Sequence, residues 1–159
     1  MAKVILLCGK LCAGKTTYAR QLARSGRAVF LSTDPLMARL YAGPCGEEYH
    51  AALAKTQAYL LGVAADIAAA GVDVVFEGAA WLRADRLKAT AFFRARGVAS
   101  EWHLIEVPAE TQNARIEARN REIRAGKSDA TYVDEALFRR CEENYEPPLP
   151  GEMDVIAQG

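Results

Sequence analysis

The sequence predicts an α/β fold in three layers, a parallel sheet covered by helices on both faces, and three observations carry that prediction. Strand-like apolar runs alternate with helical stretches along the whole chain, and alternating β and α elements demand a parallel sheet with right-handed crossovers. A complete G-x-x-x-x-G-K-[ST] sequence, Gly9-Lys10-Leu11-Cys12-Ala13-Gly14-Lys15-Thr16, joins the first apolar run to the first helical stretch. No internal repeat, low-complexity tract or linker interrupts the pattern, so the 159 residues are expected to form one domain.

The first strand is expected at Val4-Ile5-Leu6-Leu7-Cys8, a continuous apolar run of buried type. The following loop reads as a phosphate cradle. Gly9 and Gly14 let the backbone wrap closely enough for consecutive N–H groups, those of Cys12 and Ala13 among them, to face phosphate oxygens. The helix from Lys15 to Arg24 adds its unpaired N–H groups and positive dipole end. Lys15 supplies a mobile charge for the outer phosphates, Thr16 a hard oxygen suited to Mg²⁺, and Thr17 a hydroxyl for a phosphate nearer the base. A nucleoside triphosphate is the expected ligand.

The second strand, Ala28 to Ser32, leads into Thr33-Asp34-Pro35. Asp34 is suited to cap a helix whose first turn holds Pro35. In a doubly wound sheet ligands bind at the C-terminal strand ends, so the same carboxylate is also a candidate base for an attacking hydroxyl. A long helix is expected from about Glu47 to Ala70, stopped by Gly71. The third strand, Val72 to Glu77, ends in a Walker-B-like acid; Glu77 is expected to hold Mg²⁺ through a water or to contact a substrate hydroxyl. Gly78 allows close backbone approach, and Trp81 is either a substrate-pocket wall or a packing residue. A helix from Arg83 to Arg96 closes at Gly97, a fourth strand runs from Glu101 to Val107, and another helix starts after Pro108 with an acidic first turn. Pro-rich Glu146 to Gly151 leads into a fifth strand, Met153 to Ala157.

Between Ala114 and Lys127 the chain carries Arg115, Arg119, Arg121, Arg124 and Lys127. Arg115 and Arg119 are four apart and share a helix face. Such a segment suits a lid, about residues 119–131, that closes over ATP, excludes water and brings an arginine to the γ-phosphate, while another planar guanidinium can stack on adenine.

Composition sets the remaining bounds. Twenty basic residues balance twenty acidic ones, so no global field draws the chain to nucleic acid or to an anionic membrane. No apolar run approaches the roughly 18–20 residues of a membrane span, and Met1-Ala2-Lys3 leaves no room for a signal peptide before the first strand. A cytoplasmic location is the expectation. Cys8, Cys12, Cys45 and Cys141 show neither metal-ligand spacing nor a disulfide framework.

These residues together resemble small P-loop kinases. Gly14-Lys15-Thr16-Thr17, the strand-terminal Asp34 and Arg115-x-x-x-Arg119-Asn120 are similar to AAA-type ATP-binding proteins related to polynucleotide kinase, zeta toxin and chloramphenicol phosphotransferase. The resemblance implies a P-loop NTPase sheet of five parallel strands in the order 2-3-1-4-5, and γ-phosphate transfer from ATP to a hydroxyl. It implies phosphate and Mg²⁺ handling by Lys15 and Thr16, a base at Asp34, Arg115 near adenine and Arg119 near the transferred phosphate. The third strand departs from a standard Walker B by ending in Glu77 rather than Asp. The expected activity is phosphorylation of a small hydroxyl compound, sugar-, nucleoside- or antibiotic-like, in a pocket formed by Asp34, the segment 36–48, Glu77 and Trp81. The alternatives are a polynucleotide 5′-hydroxyl kinase and a nucleotide-dependent switch with little transfer chemistry.

Overall fold

The computed structural model describes residues 1–41, 47–128 and 130–159. Cys45, most of the link between the second and third helices, and Asp129 in the expected lid lie outside the described residues.

Five strands form one sheet: β1 (Lys3–Cys8), β2 (Val29–Ser32), β3 (Val74–Glu77), β4 (Ala99–Glu106) and β5 (Val155–Gln158). Their order is β2-β3-β1-β4-β5 and every pairing is parallel, as the sequence resemblance implies. Among the described residues six helices connect them: α1 (Lys15–Gly26), α2 (Asp34–Leu40), α3 (Glu47–Ala69), α4 (Arg83–Arg94), α5 (Ala109–Arg124) and α6 (Glu135–Glu143).

β1 lies at the centre and feeds both cores through the two-residue period of a strand. Val4, Leu6 and Cys8 pack with Leu61, Ala64 and Ala68 of α3 and Phe93 of α4. Ile5 and Leu7 face the opposite side, against Tyr18, Ala19 and Leu22 of α1. The loop leaving β1 is thereby anchored from both faces of the sheet. Among the described residues, no helix is long and apolar enough to cross a membrane.

Differences from the expected boundaries have local causes. β3 begins at Val74 because the Val72 N–H closes onto the Ile67 carbonyl as α3 ends, and the Asp73 carboxylate accepts from the Lys3 N–H at 2.9 Å. Asp154 likewise delays β5, since its carboxylate accepts from the Trp102 N–H at 2.7 Å. α4 ends at Arg94, and its chain turns at Gly97 with φ of 66°. Asp34 is not the cap of α2. Thr33 occupies that position, and Asp34 and Pro35 lie inside the first turn, which leaves the Asp34 carboxylate exposed. Helix α6 is an addition to the expected set; Asp134 caps it, accepting from the Leu137 N–H at 2.7 Å.

One side chain binds two loops beneath the C-terminal edge of the sheet. Arg86 of α4 is 1% exposed. It donates to both carboxylate oxygens of Glu152, at 2.6 and 3.4 Å, and to the carbonyls of Ala80, Trp81 and Glu146. Breaking a buried pair from one side costs roughly 3–5 kcal/mol, so Arg86→Met should lower the urea unfolding midpoint by that equivalent at pH 7. Hydrogen bonding from Arg86 holds the Glu152 carboxyl below its ordinary range. The pair's contribution is therefore full above the usual glutamate titration and is lost as pH falls through the depressed value. Urea midpoints measured across the acid range should converge for wild type and Arg86→Met.

Candidate functional site

The eight-residue loop after β1 cannot be built from ordinary backbone. Gly9, Cys12 and Gly14 have φ of 152°, 56° and 102°. A side chain at Gly9 would also put its Cβ 2.6 Å from the Ile105 carbonyl oxygen of β4, so glycine is required there twice over. Cys12 adopts the left-handed region without being glycine, at a cost of about 1–2 kcal/mol that surrounding contacts must offset.

Those contacts fall on the carbonyls. Lys15 Nζ donates to Gly9 O at 2.9 Å and to Lys10 O at 2.8 Å. Gln112 Nε2 donates to Leu11 O at 2.9 Å. The Arg115 guanidinium donates to Ala13 O at 2.9 Å and reaches Cys12 O at 3.5 Å. The Gly14 carbonyl accepts from the Tyr18 N–H as α1 begins. Every carbonyl from Gly9 to Gly14 is thus held, five of the six by side chains. Within the loop itself one backbone bond is made, from Ala13 N–H to Lys10 O at 3.2 Å. With the carbonyls committed, the remaining N–H groups are free to converge on an anion.

Beside the loop, the strand ends assemble an acidic counterpart. Thr16 Oγ1 donates to both oxygens of Glu77, each at 3.0 Å. Glu77 is buried, and desolvation pushes its carboxyl above the ordinary range against the opposing pull of Lys15. Burial likewise lowers the Lys15 pKa, while Glu77 and then Asp34 pull it back up. Asp34 is drawn into this group by register: Ser32 pairs with Glu77 across β2 and β3, and Asp34 follows two residues later. Thr16 and Glu77 are hard oxygen donors in direct contact, a set that fits Mg²⁺ held mainly by phosphates and waters. Among the described residues there is no group of three or more His, Cys, Asp or Glu able to hold a metal by itself.

The arginines divide between two tasks. Arg115 is spent on loop carbonyls. Arg119 lies one turn further along the same face of α5, its Nε donating to Thr131 O at 3.1 Å and its Nη1 4.0 Å from Cys12 Sγ. Arg124 bonds the Tyr132 hydroxyl. Asn120 clasps the returning chain by accepting from Val133 N–H at 2.9 Å and donating to its carbonyl at 2.7 Å. Arg121 and Thr17 are exposed.

Other expected site residues stand apart. Trp81 is half-buried, and its bonds run through its carbonyl to Glu146 and Arg86 rather than toward Asp34 or Glu77. Of the segment 36–48 expected to line the pocket, Met37 is buried in the core, whereas Leu40 and Tyr41 face solvent. Residues 42–46 of that segment lie outside the described residues. Four contributors escaped sequence reasoning. Gln112 and Glu142 hold the phosphate loop, Arg86 holds the loop after β3, and Gln57 fixes the same loop by pairing with Ala79 N–H at 2.7 Å and Ala79 O at 2.9 Å. No local pattern marks them: Gln57, Gln112 and Glu142 meet partners remote in sequence, and Arg86, though near Ala80 and Trp81, is fixed by Glu146 and Glu152, 60 and 66 residues away.

Among solved structures, three illustrate the fold. Mycobacterium tuberculosis APS kinase CysC, in complex with AMPPNP and APS, matches with a TM-score of 0.68 and 20% identity over 99% of this chain and 88% of its own. An unliganded sugar kinase from Janibacter sp. HTCC2649 matches at 0.65 and 18% identity, over 99% and 86%. Chaetomium thermophilum Kti12 in complex with ADP-AlF3 matches at 0.71 and 15%, over 98% and 88%. Among curated proteins none matches the chain. At these identities the likeness establishes the fold, a small P-loop kinase fold. The model of an AAA domain matches residues 4–148, and the chain belongs to that AAA-domain family.

Proposed function

We propose that this protein is an ATP- and Mg²⁺-dependent kinase that transfers the γ-phosphate to a hydroxyl of a small molecule. The observation that carries the reading is the convergence of Lys15, Thr16, Glu77 and Asp34 where β1, β2 and β3 end, with Thr16 and Glu77 already hydrogen-bonded. The names of the solved relatives, kinases of a sugar and of APS, support a small-molecule acceptor. The formal charge of zero supports it too, since a polynucleotide acceptor asks for basic surface.

In this reading Lys15 exchanges its two carbonyl partners for outer phosphate oxygens, so its charge is never left without a partner. The amides of Cys12, Gly14, Lys15 and Thr16 line the polyphosphate, whereas the Ala13 N–H expected to join them is held by the Lys10 carbonyl, and Thr17 reaches a phosphate nearer the base. Thr16 and Glu77 are the residues that would hold Mg²⁺, Glu77 through a water. The ion, when bound, offsets the charge that builds on the phosphate oxygens. Lys15 and Thr16 favour the charged form of the buried Glu77 carboxyl against desolvation, which ties metal binding to a correctly formed loop.

Asp34 is the base. Its carboxylate, exposed and free of a capping role, accepts the acceptor's hydroxyl proton as the oxygen attacks the γ-phosphorus and the bond to ADP breaks. Arg119 neutralises the transferred group, and the segment 119–131 acts as the lid that excludes water. Arg115 keeps its place on the Cys12 and Ala13 carbonyls, a supporting role at the nucleotide rather than adenine stacking alone.

Incubation with γ-labelled ATP and a panel of sugars, nucleosides, antibiotics and oligonucleotides should yield a labelled small molecule. Label on oligonucleotides alone would favour the 5′-hydroxyl kinase, and no label with nucleotide-dependent partner binding would favour a switch. Asp34→Ala should cut acceptor phosphorylation by about 10²–10⁴ while calorimetry finds ATP affinity little changed. Turnover that survives the substitution would remove Asp34 as base. Glu77→Gln should raise the Mg²⁺ concentration for half-maximal turnover by about 10–100-fold, measured by titrating Mg²⁺ at saturating ATP.

A further inference from the structure

We infer that Gln112 and Glu142 form a clamp outside the phosphate-loop motif that positions Lys10 and Leu11 and so sets nucleotide affinity. Glu142 lies near the end of α6 and Gln112 in the first turn of α5. One oxygen of Glu142 takes the Lys10 ammonium at 2.5 Å; the other lies 3.3 Å from Gln112 Nε2. The same nitrogen donates to Leu11 O at 2.9 Å, and Gln112 is 3% exposed.

The two acceptors decide how the amide is turned. Leu11 O and an ionised carboxylate can only accept, so Gln112 must present its NH₂ group to both. Glu142 therefore acts through Gln112 on Leu11 and directly on Lys10. Both residues lie in the first half of the loop, which has no glycine between Gly9 and Gly14. Lys10 is doubly engaged, since its carbonyl also accepts from Lys15 at 2.8 Å. In the proposed reaction Lys15 leaves that carbonyl for phosphate. Arg115 then holds the second half of the loop, and the Gln112–Glu142 pair is what remains to hold the first. The clamp explains why α6, which bears none of the motif residues, packs against the loop.

Two measurements test this inference, and they separate it from the kinase reading on which its effect on affinity rests. The first is hydrogen exchange of the wild-type chain, Glu142→Gln and Gln112→Leu without nucleotide. Both variants should speed exchange of the Ala13 amide, which is hydrogen-bonded to the Lys10 carbonyl, by about tenfold or more, while amides of β3 and β4 keep their wild-type rates. Acceleration spread over the whole sheet, or none at the loop, would overturn the clamp whatever the protein binds. The second is calorimetry with MgATP, where each variant should weaken binding about tenfold and the double variant little more than the worse single one. Wild-type affinity in both variants would overturn the clamp's role in binding. Failure of the wild type itself to bind ATP would overturn the nucleotide reading and leave the exchange result to judge the clamp. Glu142→Asp should restore part of the loss, a response that lost helix packing would not produce.

Discussion

A polypeptide can grip an anion with its amides only if its carbonyls, which repel that anion, are held somewhere else. In this protein that constraint governs the arrangement around β1. The loop turns through three positive φ angles and makes one internal backbone bond, too little to hold itself. Its carbonyls are fastened by Lys15 from the loop's own end and by Gln112 and Arg115 from α5. Helix α5 is in turn set by β4, the strand beside β1, and by α6 through Glu142. The anion site is a property of this surrounding frame as much as of the motif.

Electrostatics at the strand ends follows from the same burial. A carboxylate such as Glu77 is costly to desolvate, and a nearby ammonium and hydroxyl offset part of that cost. Lys15 and Glu77 push each other toward the charged form while burial pushes both toward the neutral one. A site so balanced responds strongly to added charge. The polyphosphate and divalent cation of the proposed reaction would supply both signs.

Much of the fold was legible because it is written in short-range patterns. Val4 to Cys8 and Val74 to Phe76 are continuous apolar runs, and Gly71 and Gly97 stop helices whose apolar spacing is helical. The candidate loop was legible for the same reason: Gly9, Gly14, Lys15 and Thr16 need only their neighbours to be recognised. Asp34 follows the end of β2 as expected; of the two tasks its position suggested, the cap falls to Thr33, which leaves its carboxylate exposed. Helix α6 was missed although Asp134 is a good cap, because its nine residues, five of them charged, make fewer than three turns over which a period could be read. Within the segment 36–48, Met37 turns inward while Leu40 and Tyr41 face solvent, a division the sequence left open because helical spacing alone does not say which face meets the sheet.

The chain by itself determined the alternation of elements, the family and the phosphate loop, because each depends on residues adjacent in sequence or one helical turn apart. Tertiary structure decided what holds that loop and what faces it. Glu142 meets Lys10 across 132 positions, Gln112 meets Leu11 across 101, and Thr16 meets Glu77 across 61. Hydrogen bonds depend on distances of about 3 Å and on direction, and separations of that order along the chain carry no such information until the sheet has brought the strands side by side.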